Sequence, residues 1–186
     1  MKKLIMFAAC AMLAVVTQAA TVGWTLMGAN NYVNDAYKFF VIGQNGVTDI
    51  ATVTALLDAG SSVDSYAFGS GTVNSSGAAS VAASASGKTL DAGTYTAFYV
   101  VFDSASPASG SANYAVVSGA ANLTKTIGAT TANVTFAAGS AATILNNADN
   151  WKSYGSGGGG GDTPEPTSGL LLLVGGAMLA LRRKQK

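Results

Sequence analysis

Residues 94–102 read TYTAFYVVF, the strongest β-forming run in the chain. It combines aromatic and β-branched residues, which suit the pleated, partly buried surface of a strand. The turn-forming residues Asp91-Ala92-Gly93 come directly before it. The run therefore predicts a β-strand that begins just after a turn, and it sets the expectation for the segments around it.

Shorter strand signals lie on both sides of this run. They cover residues 22–27, 36–42, 112–118, 123–127 and 132–137, with turn residues between them. Several short strands at this spacing predict a mainly β fold, an antiparallel β-sandwich of the Ig-like or jelly-roll-like kind.

One segment has helical instead of strand periodicity. In residues 48–59 the apolar side chains Ile50, Val53, Leu56 and Leu57 recur at helical spacing, and Gly60 follows. Thr48 or Asp49 can cap the start, so we predict one short helix. A second helical turn is expected at 141–147. The alternation of Ser and Ala at 78–86 favours an edge strand, with a mobile loop as the alternative.

The N-terminus has the order of a secretory signal peptide. Lys2 and Lys3 precede an apolar stretch over residues 4–16, and a small-residue site, Thr17-Gln18-Ala19, follows. We predict a signal helix at 1–19 that signal peptidase cuts between Ala19 and Ala20. The single cysteine, Cys10, lies in this segment, so the mature chain has no thiol.

The C-terminal region reads as a linker followed by a membrane anchor. A glycine-rich linker is expected at 155–163, ahead of Pro164-Glu165-Pro166 and an apolar run at 170–181. A basic stop closes the chain; it consists of Arg182, Arg183, Lys184 and Lys186. The run predicts a transmembrane helix. Because basic residues stay on the cytoplasmic side, both ends point inward and a core at 20–154 is exported.

The segment 164–186 resembles the PEP-CTERM sorting signal of Gram-negative bacteria, in which a Pro-Glu-Pro motif, an apolar helix and a basic end follow one another. The resemblance implies recognition of Pro164, Glu165 and Pro166 by an exosortase-type membrane protease. It also implies a precursor that is anchored in the membrane lipid of the inner membrane. After cleavage the core is handed to a lipid or surface carrier or is released, so the mature protein is expected at the cell surface or outer envelope or in the extracellular matrix, associated with exopolysaccharide. Core segments such as LDAGTYTAF (90–98) and NWKSYG (150–155) look similar to segments of uncharacterised exported PEP-CTERM proteins. This similarity implies no activity for the present chain.

The charges are segregated along the chain. The net charge is +1, but residues 20–166 contain four bases and all nine acids, which gives this part −5. Nucleic-acid binding needs clustered Lys and Arg, so no nucleic-acid partner is expected.

The residue types that carry most enzyme chemistry are scarce. The chain has no histidine, and eight of its nine acids are aspartates scattered singly. His-based bases, Cys nucleophiles and the common zinc spheres are therefore excluded, and we predict no enzyme, no cofactor and no metal site. Asn146, Asn147, Asp149 and Asn150 form the densest oxygen-bearing run, which is typical of a polar loop more than of an ion site.

The aromatic residues give the remaining functional indication. Seven of them could stack on sugar rings if they faced solvent, with core packing as the alternative; they are Trp24, Tyr32, Tyr37, Tyr66, Tyr114, Trp151 and Tyr154. Trp151 and Tyr154, next to the linker, are the candidates for exposure and glycan contact. The sequence predicts an exported, non-catalytic surface or matrix protein, with a surface carbohydrate-binding module as the alternative.

Overall fold

The computed structural model describes residues 18–156, and these residues form a mainly β fold with few helices. The strands are β1 Ala20–Met27, β2 Ala36–Val41, β3 Gly69–Thr72, β4 Ala78–Val81, β5 Thr89–Leu90, β6 Gly93–Phe102, β7 Asn113–Val117, β8 Thr124–Ile127, β9 Asn133–Ala138 and β10 Trp151–Ser153. The helices are α1 Ile50–Asp58, α2 Ala83–Ser86 and α3 Ala142–Leu145. The strands make two antiparallel-rich sheets. The predicted transmembrane helix at 170–181 and nearly all of the signal helix lie outside the described residues.

The strand predicted at 94–102 is confirmed as β6, and it lies at the centre of the larger sheet. This six-stranded sheet has the order β10-β7-β6-β2-β3, and β8 also pairs with β6. The C-terminal half of β6 pairs antiparallel with both β2 and β7, and its N-terminal half pairs with β8. The burial of β6 changes accordingly: residues 93–96 alternate between exposed and half-buried, and every residue from Ala97 to Phe102 is buried.

Strand β1 occupies the same central place in the smaller sheet. It pairs antiparallel with β4 and β5 and parallel with β9. The expectation of wholly antiparallel sheets is wrong at this last pair. Thr21 and Asn133 pair although they lie 112 positions apart, so no hairpin sets the relative direction of the two strands.

The two sheets pack on each other through one set of alternating side chains, which we call the sandwich core. Tyr37, Phe39 and Val41 of β2, with Ala97, Tyr99 and Val101 of β6, face the smaller sheet. The Phe39 ring centroid lies 5.1 Å from that of Trp24 in β1 and 5.8 Å from that of Phe136 in β9. Aromatic side chains from both sheets therefore meet at Phe39.

The other face of the larger sheet is also buried, and we call the cluster there the helix-side core. Phe40 of β2 stacks on Phe98 of β6 with 5.0 Å between ring centroids, and Val53 and Leu57 of α1 cover this face. Since both of its faces are covered, the C-terminal half of β6 can be continuously apolar.

The predicted helix at 48–59 is confirmed as α1. The Asp49 carboxylate caps its start by accepting a hydrogen bond of 2.7 Å from the backbone N–H of Thr52. The chain leaves the helix at Gly60, whose φ of +72° is a conformation that favours glycine. The second expected helical turn is present as α3.

The segment 78–86 is a strand only in its first half. Residues 78–81 form β4, whereas 83–86 form the helical turn α2 and end at Gly87 with φ +64°. Strands β3, β5 and β10 are absent from the sequence prediction because they are short and lack clear apolar alternation. β3, with the sequence GSGT, pairs with β2, and its Gly69 lies against the Trp24 ring where a Cβ would collide.

Candidate functional site

The two aromatic residues predicted to contact glycan lie on opposite faces of the larger sheet. Trp151 begins β10 and is half-buried beside the sandwich core, whereas Tyr154, just past the end of β10, belongs to the helix-side core. The expected exposure of Tyr154 is wrong, because only 8% of the residue is exposed. Its hydroxyl donates to the Ser61 carbonyl at 3.3 Å, and its ring packs edge-on against Phe102. A single flat ligand surface cannot use both residues.

Trp151 forms a pair with Tyr32, which lies in a 3₁₀ turn at Asn30–Tyr32. The two rings stack with 4.7 Å between their centroids and an angle of 26° between their planes. The Trp151 Nε1–H donates to the carbonyl of Leu145 at 2.7 Å, and the Tyr32 hydroxyl donates to the same carbonyl at 2.8 Å. That carbonyl is at the C-terminal end of α3, where a helix leaves carbonyl groups without intrahelical partners. One acceptor thus fixes both rings.

The Tyr32–Trp151 pair forms one wall of an open groove, which we call the aromatic groove. Its volume is about 320 Å³, at the lower end of the range of roughly 300–1,000 Å³ for small-molecule sites. Aromatic, carboxylate, amide and aliphatic side chains line it: Tyr32, Asp103, Asn113, Leu145, Asn146, Ala148 and Trp151. Such a mixture of apolar surface with a few polar groups is typical of ligand sites.

The polar groups of the aromatic groove are held by hydrogen bonds of their own. The Asp103 carboxylate accepts from the backbone N–H and from the side-chain Nδ2–H of Asn113, each at 2.7 Å. Asn146 accepts a 3.1 Å hydrogen bond from Asn31, and Asn113 accepts one from Ser153. These contacts orient the rim, although Asp103, Asn113 and Asn146 are all exposed to solvent.

The charged side chains in and near the groove are acidic. Burial raises the pKa of Tyr32, and the negative charges of Asp103 and Asp35 raise it further, so its hydroxyl stays protonated and remains a donor. Burial likewise raises the pKa of Asp35, with a further contribution from Asp103. Two carboxylates therefore influence this end of the sheet, and none of the groove-lining residues is basic.

The oxygen-bearing run at 146–150 serves as a structured loop. Asn147 accepts from the Asp149 backbone N–H at 3.1 Å, and Asn150 donates to the Ile144 carbonyl at 3.0 Å. Between residues 18 and 156 no group of three or more acidic, His or Cys side chains is placed to hold a metal ion. Asn146 and Ala148 of this run line the aromatic groove together with Trp151.

The predicted cleavage residues lie at the beginning of β1. Ala20 is fully buried and pairs with Leu90, and Ala19 directly before it is half-buried. The sorting motif Pro164, Glu165 and Pro166 and the basic stop at 182–186 lie outside the described residues. No helix among residues 18–156 is long and apolar enough to cross a membrane.

The sequence analysis named Tyr32 and Trp151 among seven aromatic candidates and Asn146 in a separate argument, and it missed Asp103 and Asn113 as site residues. Both missed residues lie at the ends of predicted strands, but nothing local indicates that the loop between β6 and β7 reaches the 146–150 loop. A comparison with protein-family models, curated proteins and solved structures finds no match. The groove geometry is therefore the available guide to binding.

Proposed function

We propose that the chain is an exported, non-catalytic surface or extracellular-matrix protein that a PEP-CTERM/exosortase system sorts and that associates with exopolysaccharide. Its route would involve signal peptidase at Ala19–Ala20, membrane lipid as an anchor for the apolar tail, and an exosortase-type protease at Pro164–Pro166. The two packed sheets support a displayed β-sandwich, of the Ig-like or jelly-roll-like kind.

The folded core lies between the predicted signal peptide and the predicted sorting tail, and this position supports the proposal. The first strand begins at Ala20, next to the expected signal peptidase site. At the other end the backbone is still fastened where the glycine linker starts: the Gly155 N–H donates to the Leu57 carbonyl, and the Gly110 N–H to the Tyr154 carbonyl. Cleavage at both predicted positions would therefore keep every described strand and helix in the mature chain, with the loss of the 3.3 Å hydrogen bond from the Gln18 N–H to the Ala129 carbonyl.

The intact mass of the native protein, recovered separately from cell envelope and medium, tests this function. We expect a chain that starts at Ala20 and ends near Pro164–Pro166, with or without an added carrier group. Glu165→Ala should retain the tail through Lys186, because it removes the acid of the sorting motif. Asp162→Ala, a neighbouring acid outside the motif, is the matched control and should be processed normally. A wild-type mass that still contains Lys186 would contradict the sorting function.

The aromatic groove favours a second candidate, a carbohydrate-binding module displayed at the cell surface. Stacked aromatic rings beside amide and carboxylate groups provide both the apolar surface and the hydrogen-bonding groups that a sugar needs. We expect the protein to bind at least one glycan on an array. A blank array with correctly folded protein would rule out this candidate and leave the sorting function unaffected.

A further inference from the structure

The aromatic wall of the groove is preorganised for a flat, weakly apolar ligand face. Tyr32 and Trp151 stack on each other, and the Leu145 carbonyl accepts from both polar ring atoms. Both polar ring atoms therefore already have a hydrogen-bond partner within the protein, so the ring pair offers the groove mainly apolar surface. Because the rings are already fixed, a ligand would lose little of its binding free energy to side-chain ordering.

The polar side chains that line the groove offer both acceptors and donors for hydroxyl groups of a ligand. Each oxygen of Asp103 accepts one hydrogen bond from Asn113, and an ionised carboxylate has about four acceptor positions, so acceptor capacity remains on both oxygens. The Asn146 carbonyl oxygen is used by Asn31, while its amide N–H groups have no partner within residues 18–156. Hydroxyl groups of a ligand can donate to Asp103 and accept from Asn146.

The charge at this end of the sheet distinguishes between classes of sugar. Asp103 lines the groove, and Asp35 lies close enough to raise the pKa of Tyr32 together with it. The nearest base in sequence, Lys152, follows Trp151 in β10 and lines a different groove on the opposite face of the sheet. An anionic ligand would therefore meet like charges, and no base among residues 18–156 lines the groove to compensate them.

We propose that the aromatic groove binds a neutral, hydroxyl-rich glycan and excludes anionic glycans such as uronic acid polymers. The inference rests on the carbohydrate-binding function proposed above and names the class of its ligand. A sugar ring would present its C–H face to the Tyr32–Trp151 wall and its hydroxyl groups to Asp103 and Asn146. The groove itself accommodates a short piece of a longer chain, since it is open at the surface.

The test uses the full-length chain in a detergent without a sugar headgroup, so that the detergent does not compete for the groove. Binding is measured by affinity electrophoresis at physiological ionic strength against four neutral polymers (an α-glucan, a β-glucan, a xylan and a galactomannan) and one polyuronate. We expect retardation by at least one neutral polymer and none by the polyuronate.

Two exposed positions identify the groove as the site without disturbing the fold. Asn146→Ala removes one hydrogen-bonding group from the rim and should weaken binding of the neutral polymer about fivefold. Asn122→Ala is the matched control, because Asn122 is also an exposed amide and lies away from the groove. Trp151→Ala is a poorer test, since it also removes the contacts that fasten β10.

The outcomes separate the two levels of the proposal. Equal or tighter binding of the polyuronate would overturn the neutral class and leave carbohydrate binding in place. Equal weakening by Asn146→Ala and Asn122→Ala, or no weakening by either, would overturn the groove as the site. If none of the five polymers binds the folded wild-type chain, the proposed ligand class is wrong; the glycan array then tests carbohydrate binding separately, and the sorting function is unaffected.

Discussion

The two faces of the larger sheet are closed by different kinds of partner. On one face the second sheet covers the sandwich core, where buried polar atoms bond to neutral groups: the Trp24 Nε1–H donates to the Tyr37 hydroxyl, and the Tyr99 hydroxyl to the Phe136 carbonyl. On the other face α1 and adjacent loops cover the helix-side core. There the polar contacts include carboxylates: the Tyr114 hydroxyl donates a hydrogen bond to Asp58 at 2.5 Å, and Lys38 forms an ion pair with Asp64.

Because of this difference, the two faces should contribute differently to the free energy of unfolding and to its pH dependence. The sandwich core joins residues far apart in sequence through apolar packing, which does not titrate. The helix-side core depends in part on ionised groups at its border. We therefore expect substitutions in the sandwich core to have the larger effect on the free energy of unfolding, and substitutions on the helix side to change its pH dependence.

The largest expected effect comes from truncating one phenylalanine on each face. Phe39→Ala should lower the free energy of unfolding by about 4–5 kcal/mol, because three aromatic rings of the two sheets and the Phe68 ring just before β3 surround that side chain and cannot close the cavity. Phe98→Ala should cost about 3 kcal/mol, since α1 can settle toward the space. Urea denaturation of both variants makes the comparison, and an equal or reversed order would show that the helix side is packed just as rigidly.

Removing one hydroxyl on each face gives a sharper comparison. Tyr114→Phe removes the donor to the Asp58 carboxylate and should cost about 2 kcal/mol, because hydrogen bonds to charged groups contribute more than neutral ones. Burial, followed by the effect of Asp58, raises the pKa of Tyr114, so the hydroxyl remains a donor over the accessible pH range. Tyr99→Phe, which removes a neutral hydrogen bond, is the control at about 1 kcal/mol. If the Tyr99 variant is less stable than the Tyr114 variant, the hydrogen bond to a carboxylate on the helix side does not contribute more than the neutral one in the sandwich core.

The Asp49 cap tests pH dependence on the helix side. Hydrogen bonds from the Thr52 backbone N–H and hydroxyl hold the pKa of Asp49 below its ordinary value. A lowered folded-state pKa contributes stability that is present above the unfolded pKa and is lost as pH falls through the folded pKa. Asp49→Asn keeps a capping oxygen without titrating, so the loss of stability on acidification should become smaller. Urea midpoints at neutral and acidic pH measure it, with Asp91→Asn, in an exposed turn, as control; an unchanged acid loss would contradict the role of the cap.

The substitution Asp35→Asn should have the smallest effect on stability, and it should stabilise the protein at neutral pH. Burial, with a contribution from Asp103, raises the pKa of Asp35, so the folded state favours its neutral form. Stability from this group is gained as pH falls through the raised folded pKa and is absent at neutral pH. Asp35→Asn should therefore raise the urea midpoint slightly at pH 7, and the gain should disappear at acidic pH. A gain that persists at acidic pH would mean that charge is not its cause.

Much of the local structure could be predicted because it depends on neighbours in sequence. The run at 94–102 becomes β6, the apolar periodicity at 48–59 becomes α1, and the capping residue is one of the two expected. In each case side-chain shape and periodicity favour one backbone conformation. The sequence did not predict that two different partners would bury both faces of the C-terminal half of β6.

The aromatic groove could not be predicted, because five separate segments build it. Tyr32, Asp103, Asn113, Asn146 and Trp151 come from a 3₁₀ turn, two strand ends, the end of α3 and an edge strand. The sequence of each segment does not indicate that the segment contacts the other four. Tyr154 shows the same dependence: it lies three residues after Trp151, yet its side chain points into the opposite core.

By itself the sequence determined the strand-rich core and the one capped helix, because composition and short-range periodicity are enough to specify them; the signal peptide and the sorting tail remain predictions. Only the tertiary structure decided the parallel pairing of β1 with β9, the burial of Tyr154 and the meeting of Trp151 with Tyr32. The physical reason is that these features depend on long-range packing. Which segments share a buried surface is settled by the free energy of the whole core and by no single stretch of the chain.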